Sequence, residues 1–175
     1  MWKKRFAAIL LWTLCLTSML VLAVSTNAQA TTAEASGKSA ASMTRGEWIH
    51  QLVTKFDLSV SKSDYPDNYY PDLSEDNTYY QDIMTAVVYG LIDVEAGENL
   101  EPDAAVTREF AAHTMNLQLG FKVDESDTSI TFSDADDCKY LEDDKVAVSR
   151  KWLSLSNGSF LPEGTLTEAE AQTML

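Results

Sequence analysis

Hydrophobic residues recur at helical spacing in five stretches of the chain, and each stretch predicts a helix. In the first stretch, Trp48, Leu52 and Phe56 are four residues apart, so they line one face of a helix. That helix is predicted to begin at Thr44 and to end near Phe56 or Asp57. The other four predicted helices span residues 77 or 78 to 89, 107 to 119, about 138 to 153, and 167 to 175.

Three of the predicted helices begin at a threonine. Thr44, Thr107 and Thr167 are 63 and 60 residues apart, and threonine is a favourable N-cap residue. Glu47 and Glu170, three residues after their threonines, each complete a capping-box pattern. The sequence therefore predicts the same kind of helix start three times.

The segments before two of these helices also match each other. Residues 100–107 align without a gap on residues 160–167, with proline third and threonine last in both. A fixed period of this size indicates one supersecondary unit that is used several times and buries its apolar faces against its neighbours. We expect an all-α fold with long connecting loops.

A long connection separates the first two predicted helices. Residues 58–77 contain two prolines and many Asp and Ser residues, and a loop of this length is unusual in a compact domain. We expect it to wrap around the domain, held by apolar and aromatic anchors, namely Tyr65, Tyr69, Tyr70 and Leu73.

The first thirty residues have the layout of a secretory signal peptide. Lys3, Lys4 and Arg5 precede an apolar run over residues 6–24, and Ala28-Gln29-Ala30 provides a small-x-small cleavage site. An uncleaved membrane anchor is the alternative, since about 20 apolar residues can span a bilayer. Residues 31–42, small and polar, predict a flexible linker to a domain at 43–175.

Charge narrows the range of partners. Without the leader, the chain has 10 basic and 27 acidic residues, a net charge of −17. This composition argues against a nucleic-acid partner and against adsorption to anionic lipid, both of which need a basic surface. Cys138 is the one cysteine outside the leader, so we expect no internal disulfide.

Motifs for catalysis, metals or cofactors are weak, and we expect neither an enzyme nor a cofactor. The run Asp134-Ala135-Asp136-Asp137 begins like an EF-hand loop, but Lys139 stands where glycine is required and Lys145 where glutamate is required. His50 and His113 lie on different predicted helices, which makes a zinc site unlikely from spacing alone. No metal site is predicted.

The repeated unit resembles the S-layer homology domain of bacterial surface proteins. Tyr70-Pro71-Asp72 and Phe132-Ser133-Asp134 stand where that family has its opening motif, and Gly90-Leu91-Ile92 fits its turn. Thr44-Arg45-Gly46-Glu47 is close to its Thr-Arg-Ala-Glu signature, and Thr107-Arg108-Glu109-Phe110 is a shortened version. The resemblance divides the domain into a half unit at 43–57 and full units at 70–120 and 132–175.

This resemblance implies a pseudo-three-fold arrangement of the threonine-capped helices. It also implies non-covalent attachment of an exported protein to secondary cell-wall polysaccharide, which in that family often carries pyruvate ketals. An arginine can meet such a carboxylate with two hydrogen bonds, and aromatic rings stack on sugar faces. The implied ligand-binding residues are Arg45, Arg108, Asp72, Asp134, Trp48 and Trp152.

Other interpretations of the same residues remain open. The two arginines could pair with nearby carboxylates, Asp72 and Asp134 could cap helices, and the tryptophans could belong to the core. Because Glu168 replaces the signature arginine in the last unit, the domain could be a degenerate structural or protein-interaction module. It could also be the N-terminal anchoring module of a longer surface enzyme.

Overall fold

Helices are the main regular elements of the protein. The computed structural model describes residues 42–123 and 129–175, so the predicted signal peptide and all of the predicted linker except Ser42 lie outside the described residues. The helices are α1 (Arg45–Lys55), α2 (Tyr80–Val88), α3 (Arg108–Leu119), α4 (Leu141–Ser149) and α5 (Glu168–Met174). Two short 3-10 turns, Lys62–Asp64 and Ala135–Asp137, lie in the connections.

The threonine caps are confirmed. The hydroxyl of Thr44 accepts a hydrogen bond from the Glu47 backbone at 3.1 Å, and the Glu47 carboxylate accepts one from the Thr44 backbone at 2.8 Å. Thr167 and Glu170 form the same capping box at α5. Thr107 caps α3 through its hydroxyl alone, since Phe110 occupies the third position. In all three helices the threonine hydroxyl thus accepts a hydrogen bond from a backbone N–H that has no partner within the helix, and this contact sets where the helix begins.

α4 is shorter than the sequence pattern predicts. We expected it from about residue 138 to 153, but it spans Leu141–Ser149. Lys151 has a left-handed φ of 61°, and the N–H of Trp152 donates to the carbonyl of Ala147 at 2.9 Å. These features close the helix with a left-handed residue that is usually glycine, as Gly90 (φ 69°) does after α2.

The segments that precede the capped helices lie side by side. The N–H of Arg45 donates to the carbonyl of Ala104 at 2.9 Å, and the N–H of Arg108 donates to the carbonyl of Gly164 at 2.8 Å. Isolated β-bridges join Thr44 to Ala105 and Thr107 to Thr165. The start of each of the first two capped helices is thus bonded to the loop that leads into the next one.

The core lies between the helices and these loops. α1 packs against α2, and α3 packs against α4. The indole N–H of Trp48 on α1 donates to the hydroxyl of Thr114 on α3 at 2.8 Å, which joins the two pairs inside the core. The largest fully buried side chains are Trp48, Phe160, Ile49, Leu52, Ile83, Met84, Leu100, Met115 and Leu153. Across the described ranges, no helix has the length and apolar character needed to cross a membrane.

The cap geometry leads to a first prediction. Replacing Thr44 or Thr107 by alanine removes one N-cap hydroxyl, so each change should lower the free energy of unfolding by about 1 kcal/mol. Thr54→Ala, at an exposed position in the last turn of α1, serves as the control because its hydroxyl is not a cap. Urea denaturation measures all three variants, and a larger loss for Thr54→Ala would contradict the cap assignment.

Candidate functional site

Arg108 is committed to contacts within the protein. It is 6% exposed, its Nε donates to the Phe160 carbonyl at 2.8 Å, and its Nη2 donates to the Ser154 carbonyl at 2.8 Å. Its Nη1 pairs with the Glu170 carboxylate, and burial lowers the pKa of the guanidinium. Arg108 therefore ties α3 to the loop before α5 and to α5 itself, and it presents no bidentate fork to a ligand.

Arg45 has a similar position but a more open environment. Its Nη1 donates to the Leu100 carbonyl at 2.8 Å and pairs with the exposed Glu101 carboxylate at 3.2 Å. The guanidinium also lies 5.3 Å from the centre of the Phe110 ring. Its side chain is 21% exposed. Both arginines thus bind a backbone carbonyl in the loop before the next capped helix, and Arg45 keeps part of its surface accessible.

Asp72 and Asp134 hold loops rather than capping the helices that follow them. Asp72 accepts hydrogen bonds from the backbone N–H groups of Leu100 and Glu101 at 2.9 and 2.6 Å. Asp134 accepts from the N–H groups of Phe160 and Leu161, both at 2.8 Å. Burial acts to raise the pKa of Asp134, but these two donors, together with its own backbone N–H and the charge of Arg108, outweigh it and hold that pKa below its ordinary value.

The two predicted tryptophans lie in or against the core. Trp48 is fully buried, so it offers no face to a sugar. Trp152 directly follows the left-handed residue at the end of α4, where Leu91 stands after α2. Its ring packs beside Phe121, with centroids 6.0 Å apart, and against the hydrophobic core.

A groove lined by tyrosines lies on the long connection and α2. It encloses about 570 Å³ and is lined by Lys62, Tyr65, Pro66, Asp67, Asn68, Tyr69, Tyr70, Pro71, Leu73, Glu75, Tyr80, Met84 and Gly97. We call it the tyrosine groove. Two other hollows among the described residues enclose about 480 and 440 Å³, and neither is lined by tyrosine.

Hydrogen bonds and ring contacts fix the walls of the tyrosine groove. The Tyr70 hydroxyl donates to the Val94 carbonyl at 3.1 Å, and burial raises the pKa of Tyr70. The Tyr69 ring meets the Tyr70 ring edge-on at 4.9 Å, and the Tyr65 ring meets the Tyr80 ring edge-on at 6.2 Å. Tyr65, Tyr69 and Tyr80 remain partly exposed. Rigid aromatic faces of this kind suit contact with the C–H faces of a ring-shaped ligand.

The charged side chains that line the tyrosine groove nearly cancel one another. Lys62 pairs with Glu75 at 3.1 Å, and Asp67 is a further carboxylate in the lining. The lining therefore carries one cation and two anions, so its electrostatics do not favour an anionic ligand.

Sequence reasoning missed a repeated histidine–aspartate pair. His50 Nδ1 lies 2.7 Å from Asp82 Oδ2, and His113 Nδ1 lies 2.5 Å from Asp143 Oδ2. Each histidine also lies against a tyrosine ring, and the His113 ring stacks on Tyr140 at 3.6 Å. A signal was present, because each histidine stands six residues after its capping threonine. These pairs join α1 to α2 and α3 to α4.

Comparison with known proteins does not identify a family. No protein-family model matches the chain, and no curated protein matches it.

The contacts of the arginines predict unequal effects on stability. Arg108→Ala leaves the Glu170 carboxylate, the buried Phe160 carbonyl and the Ser154 carbonyl without their partner, and should cost about 3 kcal/mol of unfolding free energy. Arg45→Ala, the matched control, breaks a more exposed pair and should cost about 1 kcal/mol. Urea denaturation at neutral pH compares the two variants. Equal losses of unfolding free energy would contradict the conclusion that Arg108 makes stronger internal contacts than Arg45.

The lowered pKa of Asp134 predicts that the stability of the folded protein depends on pH. Since the pKa of Asp134 is lowered in the folded protein, its contribution to stability is present above the ordinary aspartate pKa of about 4 and is lost as pH falls through the folded value. Asp134→Asn should therefore lower stability by about 1.5 kcal/mol at pH 7, and by less at low pH. Asp136→Asn, an exposed neighbour, is the control, and a deficit in Asp134→Asn that does not change with pH would contradict this account.

Proposed function

We propose that this chain is a glycan-binding module that anchors an exported protein to the polysaccharide of a bacterial cell wall. The observation that carries the proposal is the tyrosine groove, with three partly exposed rings around a volume of about 570 Å³. Such a groove has the size of a small-ligand site. The resemblance of the repeated unit to S-layer homology domains supports the same class of ligand.

In this proposal the sugar contacts are aromatic, and the groove selects a ligand without net charge. Tyr65 and Tyr80 stack on the C–H faces of sugar rings, and backbone and side-chain polar groups of the long connection contact the hydroxyls. The charge of the lining and the commitment of Arg108 to internal acceptors both disfavour a carboxylate. The ligand is therefore a neutral stretch of cell-wall polysaccharide, rather than a pyruvate ketal held by arginine.

The finer architecture belongs to the same proposal. The three threonine-capped helices form a pseudo-three-fold arrangement of related units. The Val106 N–H donates to the Met43 carbonyl, and the Leu166 N–H donates to the Val106 carbonyl, both at 2.9 Å. These equivalent bonds, together with the paired roles of Asp72 and Asp134, support units related by rotation.

A second candidate is a structural or protein-interaction module. The observation that favours it is the internal use of Arg108, whose three nitrogens all have acceptors within the protein. In that case the repeated contacts keep the fold, and the tyrosine groove has no glycan ligand. The experiment below separates the two candidates.

Retention on purified cell walls tests the proposed function. Tyr65→Ala and Tyr80→Ala each remove one partly exposed ring that is not part of the packed core, so melting temperatures should change little. Each change should weaken binding about five- to tenfold, since an aromatic contact contributes about 1 to 1.5 kcal/mol. Tyr89→Ala, an exposed tyrosine outside the groove, is the matched control and should bind like wild type.

Chemical removal of pyruvate from the walls provides a second arm. We expect retention to be unchanged, because the proposed contacts are with neutral sugar faces. If removal of pyruvate abolishes retention, and the tyrosine variants still bind untreated walls like wild type, then the ligand binds at an anion site instead. Failure of the wild-type protein to bind any wall preparation would favour the interaction module.

A further inference from the structure

Three side chains with metal-binding atoms meet beneath the start of α4. Glu109 comes from α3, Cys138 from the turn before α4, and Asp144 from α4 itself. One donor atom of each lies within 4.8 Å of those of the other two. They are 35 residues apart at most along the chain, yet no short motif links them.

Asp144 is the unusual member of this cluster. It is fully buried, and the only polar side chains that face its carboxylate oxygens are those of Cys138 and Glu109, with no further hydrogen-bond donor among the described residues. A buried carboxylate beside a second carboxylate is costly, so it must be either protonated or bound to a cation.

Glu109 and Cys138 each have a donor atom close enough to bind the same ion as Asp144. Glu109 is 5% exposed, and its Oε1 accepts a hydrogen bond from the Tyr140 N–H at 2.8 Å, which orients its carboxylate. Cys138 is partly exposed, which gives an ion a route to the cluster.

We propose that Glu109, Cys138 and Asp144 form a binding site for a zinc ion. One thiolate and two carboxylates form a mixed set of sulfur and oxygen ligands, which suits a borderline-soft divalent cation such as zinc. Calcium and magnesium prefer sites in which every ligand is oxygen, so the thiolate disfavours them. Because a thiolate is the metal ligand, binding displaces the proton of the thiol. Arg108, whose charge interacts with Asp144, offsets the remaining negative charge of the ligands.

Such an ion joins α3 to α4 at a site that the glycan proposal does not use. The cluster lies on different residues from the tyrosine groove, and the inference is independent of the proposed function. Binding to the folded state alone raises stability, so the metal adds to the packing of the second helix pair.

Titration of the untagged protein with Zn²⁺, followed by calorimetry, tests the site. We expect one ion per chain, a higher melting temperature with Zn²⁺, and a sulfur-to-metal charge-transfer band when Cd²⁺ or Co²⁺ is used. Cys138→Ser should abolish the band, and Cys138→Ser and Glu109→Gln should each weaken Zn²⁺ binding at least about tenfold. Asp137→Asn, an exposed neighbour, is the control for ions on the acidic surface and should behave like wild type.

Two results would overturn the inference. One is Zn²⁺ binding that Cys138→Ser leaves unchanged, which would show an adventitious ion on the acidic surface. The other is the absence of both a charge-transfer band and a thermal shift in wild type, which would show that Asp144 and Glu109 share a proton instead. Cys138→Ser exchanges one atom of a partly exposed residue, so the test remains decisive even if Glu109→Gln does not fold.

Discussion

Two aspartates, Asp72 and Asp134, each hold a strained loop, and the positions of the later helices depend on this interaction. Asp72 and Asp134 each accept two consecutive backbone N–H groups. The second residue of each bonded pair, Glu101 or Leu161, has a left-handed φ, which costs about 1 to 2 kcal/mol for a residue with a side chain. Two charge-assisted bonds offset that cost. The loop then runs in the direction that delivers Thr107 or Thr167 to the start of its helix.

The same aspartate connects the fold with the tyrosine groove. Asp72 lies two residues after Tyr70, so the segment that clamps the loop before α3 also forms the groove wall. The Gly97 N–H donates to the Tyr69 carbonyl at 2.8 Å, which ties the other side of the segment to the loop after α2. The groove walls are thus held from both ends by hydrogen bonds to other loops, and a preorganised groove loses little entropy when a ligand binds.

The sequence was sufficient for the elements that depend on local chemistry. Thr44, Thr107 and Thr167 act as N-caps through contacts three residues away, so their pattern is visible in the chain. The predicted end of α4 was wrong because the helix is closed by Lys151 in a left-handed conformation, and no glycine in the sequence marks that position. The roles of Arg108 and Trp48 depend on partners 46 to 66 residues away, and spacing carries no information about such contacts. The implied ligand residues therefore include several with structural roles, while the groove tyrosines appeared only as loop anchors.

We propose that glycan binds at the tyrosine groove and not at the arginines of the capped helices. Amide chemical shifts of the isotopically labelled protein, recorded during titration with a purified neutral cell-wall glycan, test it most directly. Binding in the groove predicts shifts concentrated in residues 65–81 and at Gly97, with none at the starts of α1 and α3. Shifts concentrated at Arg45 and Arg108, with the groove unchanged, would contradict it.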